Sequence, residues 1–163
     1  MDRKLRGLRV FAPATVANVA CGYDVLGFAI ERPGDEIVVK ETLEFEGLKI
    51  TKVSGDPGKK LPRETEKNTA SYAALQLLHA IDYSGPGIEM EIYKKMPFGT
   101  GMGSSSASAV AGVFAVNELL RRPFVKRDLL KFAIAGEQMA DGAIHGDNVA
   151  PCLMGGMVLV RNS

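Results

Sequence analysis

From Pro97 to Ser108 the chain reads P-F-G-T-G-M-G-S-S-S-A-S, with glycine at 99, 101 and 103 and serine at 104, 105 and 106. These residue types suit the holding of an anion. Glycine lets main-chain N–H groups approach a ligand closely and accepts positive φ. A helix that starts just after the loop adds unpaired N–H donors and about half a positive charge. Together they make a phosphate cradle. Pro97 opens the turn, and the amides of Gly99, Gly101, Gly103 and Ser104 are its candidate donors. The hydroxyls of Ser104, Ser105 and Ser106 can bond phosphate or ligate Mg2+.

Two well-known cradles do not fit. A Walker loop needs a Gly-Lys pair, and none is present. A dinucleotide fingerprint needs G-x-G-x-x-G. Starting from Gly99, its third place is Ser104; starting from Gly101, it is Ser106. The plain alternative is a flexible turn before a serine-capped helix.

The elements that would carry the loop follow from local pattern. Leu5–Ala12 reads as a strand that Pro13 ends, since proline lacks the N–H of a ladder. Thr15–Gly22 is a loop. Tyr23–Ile30 and Asp35–Thr42 read as two strands, and Phe45–Val53 as a third. A loop from Ser54 to Glu66 precedes a helix over Asn68–Ile81, with Asn68 able to cap it. Ile88, Met90 and Ile92 alternate with Glu89, Glu91 and Tyr93, the habit of an antiparallel or mixed sheet. Helices are predicted over Ser104–Leu120 and Lys126–Ala140, the latter with Asp128 in its first turn. A turn over Gly142–Asp147, a short helix over Asn148–Met154 and a strand over Met157–Val160 complete the reading.

Composition narrows the function classes. With 163 residues, the chain is close to the ~150 of one domain and long enough to bury a core. Twenty basic against nineteen acidic residues leave +1, without the basic excess of a nucleic-acid binder. No run of ~18 apolar residues predicts a membrane span. Pro13, Thr15 and Asn18 interrupt the apolar stretch before Cys21, so a lipoprotein signal is not expected. Cys21 and Cys152 form no disulfide framework and no zinc quartet, and read as reduced thiols of a cytoplasmic protein.

Two further segments stand on either side of the glycine loop. P-A-T-V-A-N-V-A-C-G-Y-D-V-L-G-F-A begins at Pro13, and H-G-D-N-V-A-P-C-L-M-G-G begins at His145. In this order the three resemble the motifs of the homoserine kinases, a branch of the GHMP family of small-molecule kinases. The resemblance covers nearly the whole chain. It implies an α+β fold: a ribosomal-protein-like N-terminal domain with a left-handed β-α-β unit and a mixed or antiparallel sheet packed with helices. Members are roughly twice this length, against ~150 residues per domain. Residues 1–163 therefore look like the nucleotide-binding half, with a C-terminal ferredoxin-like domain, and its carboxylate-holding arginines, apparently absent.

The implied reaction moves the γ-phosphoryl of ATP to the side-chain hydroxyl of L-homoserine, a step toward threonine. By resemblance, Ser105 and Glu137 hold Mg2+, and Asn18, Asp24, His145 and Asn148 contact homoserine. Asn68 matches a residue near adenine, with capping as its competing role. Some relatives use a lysine–aspartate pair as base, and here asparagine, Asn148, takes the aspartate's place. An amide cannot accept a proton at neutral pH as a carboxylate does. No protein base is therefore expected, with Asp147 as the rival candidate. The first motif usually reads S-A-N-L-G-P-G-F-D; here Val16 replaces the serine, and Val19, Ala20 and Cys21 replace leucine, glycine and proline. Gly146 stands where proline is common. Remaining alternatives are another GHMP small-molecule kinase, or a non-catalytic anion-binding domain that pairs with itself as a homodimer through its exposed last strand.

Overall fold

The computed structural model describes residues 5–56, 58, 61–97, 99–142 and 146–161. Strands β1 (Gly7–Val16), β2 (Leu26–Thr42) and β3 (Leu48–Ser54) come first, and helix α1 (Thr69–Ala80) leads to β4 (Gly87–Tyr93). Helices α2 (Ser104–Leu119), α3 (Leu130–Asp141) and α4 (Gly146–Met154) follow, before β5 (Met157–Leu159). The strands make one sheet in the order β1-β2-β4-β3, with β5 pairing the start of β2. Only β3 and β4 run parallel, and α1 connects them, which supplies the expected β-α-β unit. The sheet is thus mixed, as the alternation in β4 predicts: Ile88, Met90 and Ile92 are buried while Glu89, Glu91 and Tyr93 are half-covered.

Ile37 and Val39 of β2 join Ile88, Met90 and Ile92 in a core closed by Leu77 of α1 and by Val113, Val116 and Leu119 of α2. Each such side chain contributes about 1.5–3 kcal/mol by leaving water. Helix α2 is the centre of the helical layer, packing on β1, β2, α1, α3 and α4. Its small residues let it be buried on nearly every side, from Ser106 to Leu119. No described helix is long and apolar enough to cross a membrane.

The structure corrects several expected boundaries. Strand β1 does not stop at Pro13; it continues to Val16, with a register shift between Pro13 and Thr15. As an edge strand, β1 can point one proline away from the ladder, and the bulge absorbs the irregularity. The two strands expected over 23–30 and 35–42 are one strand, because β1 pairs with both portions: Val16 opposite Phe28 and Gly7 opposite Lys40. Residues 23–25 belong to the turn before it. Strand β3 begins at Leu48 rather than Phe45, after Gly47 turns the chain at φ 76°. The helix expected from Lys126 starts as a 3-10 turn over Lys126–Leu129 and becomes α-helical at Leu130. Helix α4 begins at Gly146, which puts Asp147 in its first turn rather than in a loop.

Candidate functional site

Gly99, Gly101 and Gly103 all take left-handed backbone, at φ 70°, 71° and 66°. Side chains other than glycine rarely adopt it. The alternation folds the chain into a cup that ends at the first turn of α2. Among the described residues no hydrogen bond uses the N–H of Gly99, Gly101, Gly103 or Ser104. These donors border a cleft of about 490 Å3, whose walls include Pro97, Ser105, Ser106, Glu137 and Asn148. The cup, the unspent amides and the positive end of α2 are what an anion requires.

A buried ion pair underlies the cup. The side chains of Asp35 and Lys94 are 1% and 2% exposed, and they are salt-bridged. The Lys94 ammonium also donates to the Ser104 carbonyl at 2.9 Å and to Ser108 Oγ at 2.8 Å, so its three protons are committed. Asp35 accepts from the amides of Lys95 (2.8 Å) and Met96 (3.2 Å) and from Ser104 Oγ (3.3 Å). The pair ties β2 and the end of β4 to the first turn of α2. Burial pushes the Lys94 pKa down, against the charge and hydrogen bond of Asp35, which push it up.

Glu137 enters from α3. Gly136 beside it lies against α1: a Cβ there would stand 2.8 Å from both Ala73 Cβ and the Thr69 carbonyl. That close approach lets α3 deliver a buried carboxylate, 4% exposed, to the cleft. Ser105 and Ser106 line the same cleft, and the buried Ser106 Oγ has no hydrogen-bond partner among the described residues. Leaving such a group dry costs about 1–3 kcal/mol. A carboxylate with hydroxyls is a hard oxygen set, suited in kind to Mg2+ that also takes phosphate oxygens.

The other expected residues divide. Asn148 lines the cleft, and its Oδ1 accepts from Thr15 Oγ1 at 2.8 Å. Asn18 lines it as well, with φ 57°, and its Oδ1 accepts from the Asp24 amide at 2.8 Å. Asp24 is exposed and is not part of the cleft wall. Asn68 reaches the wall but caps α1, its Oδ1 taking the Ala70 amide and its Nδ2 giving to the Pro62 carbonyl. Its amide is therefore spent on protein. His145 lies outside the described residues. Asp147 is buried at 2% and is not in the cleft wall. Ala20, standing where the first motif usually has glycine, takes φ 50°.

Asp35, Lys94 and Thr15 were not singled out by the motifs. A signal existed for the first two. Asp35, Ile37, Val39 and Glu41 share one parity of β2 and are all buried; Ile88, Met90, Ile92 and Lys94 share the buried parity of β4 and its extension. A charge in register with core residues requires a buried partner. Thr15 gave no such signal, because it sat in an expected loop.

Comparison with known proteins bears on the family and the fold. A homoserine kinase of Chlorobium phaeobacteroides (strain BS1) is 48% identical over 161 residues, covering 93% of this chain and 50% of that protein. The crystal structure of homoserine kinase from Cytophaga hutchinsonii ATCC 33406 superposes with TM-score 0.91 at 53% identity, covering 96% of this chain and 49% of that one. The Methanococcus jannaschii mevalonate kinase shares the fold, with TM-score 0.76 at 18% identity over 96% of this chain and 54% of its own. The chain spans about half the length of the curated relatives it matches. Residues 68–156, from the cap of α1 through the glycine cup and Glu137 to the end of α4, match the GHMP kinases N terminal domain. That span is more than half of the 163 residues, and the chain belongs to the GHMP kinase family.

Proposed function

We propose that residues 1–163 are the ATP-binding half of a kinase that phosphorylates the side-chain hydroxyl of L-homoserine. The observation that carries the reading is the cup of left-handed glycines, whose unspent amides face a cleft at the positive end of α2. The relatives named homoserine kinase, at 48% and 53% identity, supply the acceptor. On this reading a second half, of the ferredoxin-like type, holds the substrate carboxylate in the whole protein.

Phosphoryl transfer asks mainly for positioning and charge screening. The amides of Gly99, Gly101, Gly103 and Ser104 hold the triphosphate. Ser105 and Glu137 hold Mg2+, with the unpartnered Ser106 hydroxyl available to the same ion or to phosphate. Mg2+ held by these residues would supply positive charge against that building on the phosphoryl oxygens. Asn18 and Asn148, both in the cleft wall, would orient the homoserine, and Asp24, whose amide donates to Asn18 Oδ1, would meet its ammonium. Asn148 donates a hydrogen bond and takes no proton. The hydroxyl oxygen bonds to the γ-phosphorus, the bridging oxygen leaves with ADP, and the hydroxyl proton passes to phosphate or solvent.

The test uses the full natural chain. ADP release is followed with homoserine, mevalonate, serine and a hexose as acceptors, alongside calorimetric titration with Mg-ATP. Turnover with homoserine above the rest, and nucleotide binding lost in Glu137→Ala, are expected. Nucleotide binding with preference for another alcohol would replace homoserine and keep the kinase; failure to bind Mg-ATP would remove both.

A further inference from the structure

We infer that Thr15 is the positioning residue that turns Asn148 so that its NH2, and not its oxygen, faces the reacting groups. The inference rests on the kinase reading above and concerns the same cleft. Thr15 is fully buried near the end of β1. Its amide donates to the Met102 carbonyl at 3.1 Å, which fixes it to the glycine cup. Its hydroxyl donates to Asn148 Oδ1 at 2.8 Å, which fixes it to α4. Gly103 closes the junction. A Cβ on Gly103 would collide with Thr15 Oγ1 and stand 3.0 Å from Asn148 Oδ1. Three segments distant in sequence thus meet at one hydroxyl.

The consequence is chemical. An asparagine has one end that accepts and one that donates. With Oδ1 committed to Thr15, the donating end is left, and Nδ2 makes no hydrogen bond among the described residues. Asn148 lines the cleft beside Ser105, Ser106 and Glu137. An N–H aimed there can bond the acceptor oxygen of the nucleophile or a phosphoryl oxygen as charge builds. An amide free to flip would present its oxygen to those same groups half the time and repel them. Thr15 therefore sets the catalytic polarity of a residue it does not replace, and Gly103 is required so that the junction fits.

The test takes the full natural chain with Thr15→Val, Thr15→Ser, Asn148→Ala and the Thr15→Val/Asn148→Ala double variant. Loss of the orienting bond in Thr15→Val should lower kcat about tenfold to a hundredfold. KM for ATP should stay within about threefold, because the phosphate amides are untouched. Thr15→Ser should restore kcat, and the double variant should be no slower than Asn148→Ala. A second reading needs no turnover. In 15N NMR, the side-chain amide pair of Asn148, identified by its loss in Asn148→Ala, should be sharp in the wild type and Thr15→Ser, and broadened in Thr15→Val. Thr15→Ala, which adds no bulk, carries the same readings if valine prevents folding. Unchanged kcat in the hydroxyl-free variant, additive losses in the double variant, or an unaltered Asn148 signal would each overturn the inference. If the wild type turns over another alcohol, or none, the homoserine reading fails while the NMR signal still decides the role of Thr15.

Discussion

Breaking the Asp35–Lys94 pair on one side should cost more than removing it from both. Lys94→Met leaves Asp35 with the Lys95 and Met96 amides and the Ser104 hydroxyl, so its carboxylate keeps partial solvation by protein. The expected loss is near the lower end of the ~3–5 kcal/mol typical of a halved buried pair. Asp35→Leu leaves an ammonium 2% exposed that has lost its salt-bridged carboxylate and keeps the Ser104 carbonyl, the Ser108 hydroxyl and the weaker field of Glu137, and belongs near the upper end of about 5 kcal/mol. The double variant leaves neither member of the pair stranded and should fall short of the sum by about 2–3 kcal/mol. Against a total stability of about 5–15 kcal/mol, each effect is large enough to resolve in urea titrations. A proton-linkage arm sharpens the result. Burial lowers the Lys94 pKa below its ordinary 10.5, so between the lowered value and 10.5 the unfolded chain binds more protons than the folded one. Stability there rises with pH, and Lys94→Met should remove that rise. The buried Cys152 thiol acts in the opposite sense above pH 9, so the comparison is made in a Cys152→Ala background. Additive single losses, or a pH slope that survives Lys94→Met, would refute the reasoning.

Four other outcomes follow from the geometry. Burial raises the Cys152 pKa to about 12, so at pH 8 a thiol reagent should modify exposed Cys21 more than about a hundredfold faster than Cys152; equal rates by mass spectrometry would contradict the packing. The same raised value predicts stability that is full below pH 9 and declines toward pH 12, since the unfolded thiol ionises first. Gly103→Ala combines φ 66° with a collision against Thr15 and should cost about 3 kcal/mol, whereas Gly142→Ala, at φ 77° with no contact within 4 Å among the described residues, should cost about 1 kcal/mol; similar denaturation midpoints would argue against the junction. Ala20→Gly relieves a left-handed alanine at φ 50° and should stabilise by about 0.5–1 kcal/mol, seen as a raised melting temperature; a lowered one would count against that backbone.

The sequence was most legible where one residue type has one physical use. Alternating glycines before a run of serines meant a cup at a helix start, and Asn68 before an apolar period meant a cap. The alternation of Ile88, Met90 and Ile92 disclosed a half-wet strand in a mixed sheet. Legibility failed where tertiary pairing overrode local chemistry. Pro13 looked like a stop, yet an edge position and a bulge let β1 pass through it. Residues 31–34 looked like a break between strands, yet β1 spans both sides and makes them one. The role of Thr15 depends on a partner 133 residues away, and nothing near it in sequence announces a hydrogen bond to α4.

That separation has a temporal consequence. Thr15 and Asn148 join β1 to α4, and Cys152 Sγ meets the Pro13 carbonyl across 139 residues. Closing so long a loop carries an entropic cost that local turns avoid. At a synthesis rate of about 5–20 residues per second, the β1 segment waits several seconds before its distant partner leaves the ribosome. Until then the glycine cup lacks the part of its wall that Asn148 supplies.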